Sequence, residues 1–184
     1  MHTLNAILIP GNGDSSPQDN WFPYLEQKLP TLGTTVINEQ FPDLPLAREE
    51  FWLPFIRELG ADEHTILIGH SSGAIAAMRF AEKNKIFGSV LVGAYYTDLG
   101  DENEKKSGYF NHPWDWQAIK DNQKWVIQFA STDDPFIPIA EPHELHRLLS
   151  TDYHEYHDQK HFGHGATPKL EFPELIEALK HKIS

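Results

Sequence analysis

Residues 66–74 read Ile66-Leu67-Ile68-Gly69-His70-Ser71-Ser72-Gly73-Ala74, an apolar run that passes directly into small residues with a serine set between two glycines. A short run that is apolar at every position is the pattern of a strand covered on both faces. Ala74, Ala76 and Ala77 continue the small residues into a stretch of good helix formers. The stretch therefore predicts a strand, a sharp turn and a slim helix, with Ser71 in the turn.

The same alternation recurs along the chain. Ala6 to Pro10, Thr34 to Asn38, Thr65 to Gly69, Ser89 to Tyr95 and Lys124 to Ala130 read as strands, with Asp152 to His157 as a weaker sixth. Helices are predicted at about 20–29, 45–59, 72–84, 138–150 and 171–183. Pro23, Pro45, Pro138 and Pro173 lie near their starts, where a missing backbone N–H costs little. Strands alternating with helices predict an α/β sandwich on a mostly parallel sheet, and such sheets hold their sites beyond the carboxyl ends of the strands.

Composition narrows the function classes. The chain has 184 residues, 40% of them hydrophobic, with no repeat and no linker, so residues 1–184 are expected to form a single domain. A formal net charge of −12 disfavours nucleic acid and anionic membranes as partners, because phosphate neutralisation needs clustered Lys and Arg. With no cysteine there is neither a disulfide framework nor a thiolate site. The first residues lack a basic region ahead of their short apolar run, which fits a cytoplasmic protein.

Gly69-His70-Ser71-Ser72-Gly73 fits G-x-S-x-G, the pattern of a nucleophile elbow. A turn this sharp strains the backbone at the serine, and it brings strand and helix so close that only tiny side chains fit two positions either side. Ser71 is thus a candidate nucleophile, with a purely structural turn as the alternative. The backbone N–H of Ser72 would serve an oxyanion. Gly11-Asn12-Gly13, directly after the first strand, offers a second such donor at Asn12; the incomplete G-x-G-x-x-G there, with no G-K-[ST] in the chain, argues against a phosphate site.

A serine hydroxyl needs a base and an orienting carboxylate, in chain order Ser, Asp or Glu, His for this type of fold. Ser131-Thr132-Asp133-Asp134-Pro135 follows the fifth strand, and Pro135 holds Asp134 extended, which favours it over Asp133; spacing by itself does not decide. An Asx turn is the structural alternative. His157, His161 and His164 all lie in the loop before the last helix. Position selects that loop and leaves the residue open.

The segments "PGNG", "ARE…WLPF", "IGHSSGAIAAMR", "DLGDENE", "SGYF", "PWDW", "QFASTDDPFIP" and a late "HF" at His161-Phe162 resemble the small serine hydrolases related to retinoblastoma-binding protein nine, also called the YdeN-type family. The resemblance runs nearly the whole chain. It implies a compact α/β-hydrolase fold without a large cap, about six mostly parallel strands with helices on both faces, and a triad of Ser71, Asp134 and His161. The family's glycine before the histidine is absent, Lys160 standing there, while Gly163-His164 follows, so His164 is the rival base. The family's L-x-C-x-E is also absent, Leu59-Gly60-Ala61-Asp62-Glu63 occupying that segment, so no retinoblastoma-type partner is inferred.

The expected function is hydrolysis of small esters or amides through an acyl-enzyme on Ser71, with a small-molecule substrate, no cofactor and no metal. "SGYFNHPWDW" is the expected pocket wall and "DLGDENE" a solvated loop. Two rivals belong to other classes: a non-catalytic interaction module that keeps the fold, and a metal-dependent hydrolase built on the late histidines.

Overall fold

A computed structural model of the chain describes residues 3–163 and 168–183. Six strands, β1 (Leu4–Ile9), β2 (Thr34–Ile37), β3 (Thr65–His70), β4 (Gly88–Val92), β5 (Val126–Ser131) and β6 (Asp152–Tyr156), form one sheet in the order β2-β1-β3-β4-β5-β6. Every neighbouring pair is parallel. All six predicted strands are present, with ends shifted by a few residues. β4 stops at Val92, short of the predicted Tyr95, because Gly93 turns the chain out at a φ of 60°.

Pleating sends successive side chains to opposite faces, and the apolar runs feed two cores. Ile7, Ile9, Leu67 and Leu91 face α2 (Glu49–Glu58), α3 (Ser72–Ala81), α5 (Trp116–Asp121) and α6 (Ala140–Leu149), through Trp52, Ala77, Ile119 and Leu145 among others. Ala6, Leu8, Ile66, Ile68 and Val90 face the opposite way, toward α1 (Phe22–Lys28) and α7 (Pro173–Ile183), which contribute Phe22, Leu25, Leu175 and Leu179. Helices thus cover both faces of the sheet.

Two helices escaped the sequence reading. Between β4 and β5 the chain forms α4 (Glu102–Ser107) and α5, each of six residues. Both begin at an aspartate whose side chain caps the first turn: Asp101 accepts from the Asn103 and Glu104 N–H groups, and Asp115 from that of Ala118. They are too short to show an apolar period. The predicted helix at 45–59 begins only at Glu49; Ala47 takes a φ of 50°, and the Asp43 side chain accepts from the Arg48 N–H.

The chain moves from β1 to β2 on one side, then crosses back to β3 and continues the other way. β1 and β3 therefore flank a reversal of strand order, and a crevice opens there at the carboxyl ends. The loop after β1 carries Asn12, and the turn after β3 carries Ser71.

Candidate active site

Ser71 is the residue before the first turn of α3, at φ 55° and ψ −122°. A non-glycine residue held there stores about 1–3 kcal/mol of backbone strain. The surroundings explain both how the turn is held and why its neighbours are glycines. The Ser71 N–H donates to Val92 C=O at 2.9 Å, which ties the turn to β4. A Cβ on Gly69 would collide with the Gly73 carbonyl, and one on Gly73 with the carbonyls of Ile9 and Pro10. The elbow is close-packed backbone on both sides.

Asp134 and His161 meet each other, with His161 on the cleft that Ser71 also lines. His161 Nδ1 lies 2.7 Å from Asp134 Oδ2, and both side chains are nearly sealed from solvent. Asp134 Oδ1 accepts from the N–H groups of Phe136 and Ile137 at 2.9 and 3.0 Å. The carboxylate is thus fixed by an Asx-type turn through one oxygen while the other meets the imidazole. The Asx turn and the pairing with histidine, treated as alternatives in the sequence, coexist on one side chain.

Asp133 has a different task. Its Oδ1 accepts from Ser131 Oγ at 2.6 Å and from the Lys160 N–H at 2.8 Å, and these bonds hold its carboxyl below the usual range. It fastens the start of the histidine loop. Lys160 takes a left-handed φ of 49°. A conformation that glycine adopts freely is held here with a side chain in place.

The rest of that loop is pinned from beneath. Phe162 is fully buried among Tyr156, Phe172 and other members of the α1/α7 core, and its C=O accepts from the Trp21 indole N–H at 2.9 Å. His70 Nε2 bonds the His161 C=O at 2.8 Å, and the His70 and His161 rings lie 4.8 Å apart. His157 bonds Thr132 Oγ1 at an exposed position, away from Asp134. His164, the rival base, lies outside the described residues.

Ser71 and His161 both line a cleft of about 850 Å³, together with Asn12, Tyr95, Phe136 and Ile137. Its far side is formed by Leu99, Asp101, Asn103 and Glu104. This corrects one expectation and extends another. The "DLGDENE" segment, exposed from Gly100 to Asn103, also forms a wall of the cleft, whereas Trp114 and Trp116, expected there, stack on each other outside it, and the Arg79 guanidinium lies 3.5 Å from the Trp114 ring. Buried Arg79 donates to the carbonyls of Tyr109, His112 and Pro113, which makes the aromatic segment a structural collar for α3. The wall is held instead by Glu141, which accepts from the Tyr96 and Thr97 N–H groups at 2.8 and 3.1 Å.

Asp14, Asp19, Asp101 and Glu104 give the cleft a negative lining, with no Lys or Arg among its described residues. Asn12 and Ser72, the two residues read as oxyanion donors, stand at the end of β1 and in the first turn of α3; Ser72 is buried. Their side chains meet a network the sequence did not reveal. Glu104 accepts from Asn12 Nδ2 at 3.0 Å and from the Tyr95 hydroxyl at 2.8 Å, and Tyr95 in turn lies 3.2 Å from Ser72 Oγ. Burial above all pushes the Tyr95 phenol up, and the Glu104 charge adds to it. A usable signal existed in Asp101-x-x-Glu104, the spacing of a helix capping box.

The late histidines go separate ways: His143 to Glu155, His146 to Thr151, His154 toward Asp152. Among the described residues no group of three or more His, Asp or Glu is arranged to hold a metal ion, and no helix is long and apolar enough to cross a membrane.

Comparison with known proteins agrees with this architecture. A family model described as serine hydrolase matches residues 6–177. The rat (Rattus norvegicus) protein named serine hydrolase RBBP9 is 44% identical over 182 residues, covering 97% of this chain and 95% of its own. The crystal structure of the ydeN gene product from B. subtilis superposes with a TM-score of 0.86 at 24% identity over 98% of both chains. Esterase RhEst1 from Rhodococcus sp. ECU1013 superposes with a TM-score of 0.66 at 14% identity, covering 98% of this chain and 90% of its own, a likeness of fold alone. The sheet and its helices have the α/β-hydrolase fold.

Proposed function

The chain belongs to the serine hydrolase family, and from that premise we propose that it cleaves small esters or amides through an acyl-enzyme on Ser71. The observation that carries the reading is the buried 2.7 Å contact between His161 and Asp134, with His161 on the same cleft as the strained Ser71. In the acylation step Ser71 Oγ forms a bond to the substrate carbonyl carbon while His161 Nε2 takes the hydroxyl proton. The carbonyl π electrons move to oxygen, and the N–H groups of Asn12 and Ser72 receive the resulting oxyanion. Collapse of the tetrahedral species expels the alcohol or amine, which leaves with the proton from His161. Water repeats the sequence on the acyl-serine and frees the acid. Asp134 holds the tautomer with the proton on Nδ1 and stabilises the imidazolium as it forms.

An active-site phosphonate probe tests the reading. The native protein should label covalently on one serine, Ser71, and Ser71→Ala should fold and not label. A panel of p-nitrophenyl esters and aminoacyl amides of graded size then distinguishes esterase from amidase and bounds the pocket. Labelling that persists in Ser71→Ala would remove Ser71 as nucleophile. A native protein inert to both probe and panel would be an interaction module keeping the fold.

A further inference from the structure

Glu104 occupies the third position of α4, where a capping-box glutamate would turn back toward the start of its own helix. Its carboxylate goes inward instead. The residue is only 8% exposed; Oε1 accepts from Asn12 Nδ2, 92 residues away in the chain, and Oε2 accepts from the Tyr95 hydroxyl. Tyr95 has a single proton and gives it to Glu104, so the Ser72 hydroxyl is the donor in its contact with Tyr95. Two lines of donors thus converge on one carboxylate. One begins at Asn12, the other at Ser72.

The Asn12 loop needs such an anchor. Gly11 and Gly13 flank it, with Gly13 at a φ of 94°; the Gly13 N–H bond to Leu44 C=O at 2.8 Å and a long 3.4 Å bond from Ser15 Oγ to the Asn12 C=O both hold the peptide after Asn12, not the one that carries its N–H. A peptide between two glycines has a wide choice of orientations, whereas an oxyanion donor must be aimed before the charge develops. The side chain of Asn12 is the handle by which the rest of the protein can aim its backbone.

We propose that Glu104 is a positioning residue for oxyanion binding, its two carboxylate oxygens setting the Asn12 peptide and the Ser72 end of α3 at a fixed separation so that both N–H groups converge on one substrate oxygen. The proposal rests on the reading of Asn12 and Ser72 as the oxyanion donors. A carboxylate accepts from both lines with its two oxygens, whereas a glutamine offers one oxygen and its NH₂ can meet Tyr95 only if the Tyr95 and Ser72 hydroxyls reverse their donation. Burial raises the Glu104 carboxyl and Asp101 and Asp98 add to the rise, while Tyr95 and Asn12 offset part of it.

The test compares Glu104→Gln, Glu104→Ala, Asn12→Ala and Tyr95→Phe with the native protein, using a p-nitrophenyl ester and a trifluoromethyl ketone of the same acyl chain, which binds serine hydrolases as a tetrahedral oxyanion. Glu104→Ala should lower kcat by about 10- to 100-fold while KM changes by less than about twofold, because the loss falls on the transition state. Inhibitor affinity should fall in step with kcat/KM across the set. A residue that merely supports the fold would lower Tm without producing that correlation. Asn12→Ala keeps its backbone N–H and cuts one of the two lines, so its loss should be no larger than that of Glu104→Ala, and the double variant should be no worse than Glu104→Ala by itself. Tyr95→Phe preserves the ring packing and reports on the Ser72 branch alone.

Phosphonate labelling of the native protein, mapped by peptide mass spectrometry, distinguishes two ways of failing. No label on Ser71 overturns the triad reading and the role of Glu104 with it. A labelled Ser71, with inhibitor affinity in both Glu104 variants within about twofold of native, overturns the role of Glu104 alone.

Discussion

His161 Nδ1 and Asp134 Oδ2 stand 2.7 Å apart with side-chain exposures of 6% and 3%, while Asp133, the adjacent residue, sends its carboxylate to Ser131 and Lys160. Two consecutive aspartates therefore divide the work of one loop. One meets the imidazole, and the other fastens the segment that delivers it.

Asp134→Asn should preserve the Asx turn through its remaining oxygen and lose the tautomer control, lowering kcat by about 10⁴-fold. Asp133→Asn loosens the anchor of Lys160 and should cost about tenfold or less, since the histidine loop keeps its ties to Trp21 and His70. Steady-state kinetics on both variants check this. A larger loss in Asp133→Asn would reverse the assignment.

Phe162 is the anchor of the histidine loop, and its removal should be felt twice. Phe162→Ala leaves a cavity beside Phe172 and should reduce unfolding free energy by about 3–5 kcal/mol. The loop carrying His161 then loses its floor, so kcat should fall well before the protein unfolds. Denaturant melts alongside assays at low temperature separate the two effects; unchanged turnover in the folded variant would show that Trp21 and His70 suffice to hold the loop.

The Glu104 carboxyl is raised above its ordinary value of 4.5, chiefly by burial. Folding thus favours its protonated form. The stability this group contributes is fully present below the ordinary value and is lost as pH rises through the folded-state value. Glu104→Gln resembles the protonated form, so its Tm relative to native should climb as pH is raised from about 4 to about 8. A difference in Tm that stays flat across that range, or falls, contradicts the raised carboxyl.

The cleft's four carboxylates, with no described Lys or Arg to balance them, should discriminate by charge. At low ionic strength a p-nitrophenyl ester with a terminal carboxylate on its acyl chain should show kcat/KM about tenfold or more below that of the neutral ester of equal length. Added salt should narrow the gap. Equal rates for the two esters would mean that the acyl chain lies away from these carboxylates.

What is local can be read in the residues themselves. Strand, turn and helix around Ser71 follow from nine residues, because side-chain period and the crowding of backbone at the turn act over a few positions, and Gly69 and Gly73 are where that crowding leaves no room for a Cβ. Strands β1 to β5 were legible for the same reason, each being a run rich in apolar or β-branched residues, while β6, polar and partly exposed, showed only a weaker pattern. The tertiary structure decided what depends on distant segments lying side by side. Asp134 and His161 meet across 27 residues, His70 and His161 across 91, and Asn12 and Glu104 across 92. No periodicity reaches that far. The reversal of strand order between β1 and β3 opens the crevice between Asn12 and Ser71, and the excursion after β4 swings an acidic stretch, solvated by every local criterion, over that crevice with Glu104 turned inward.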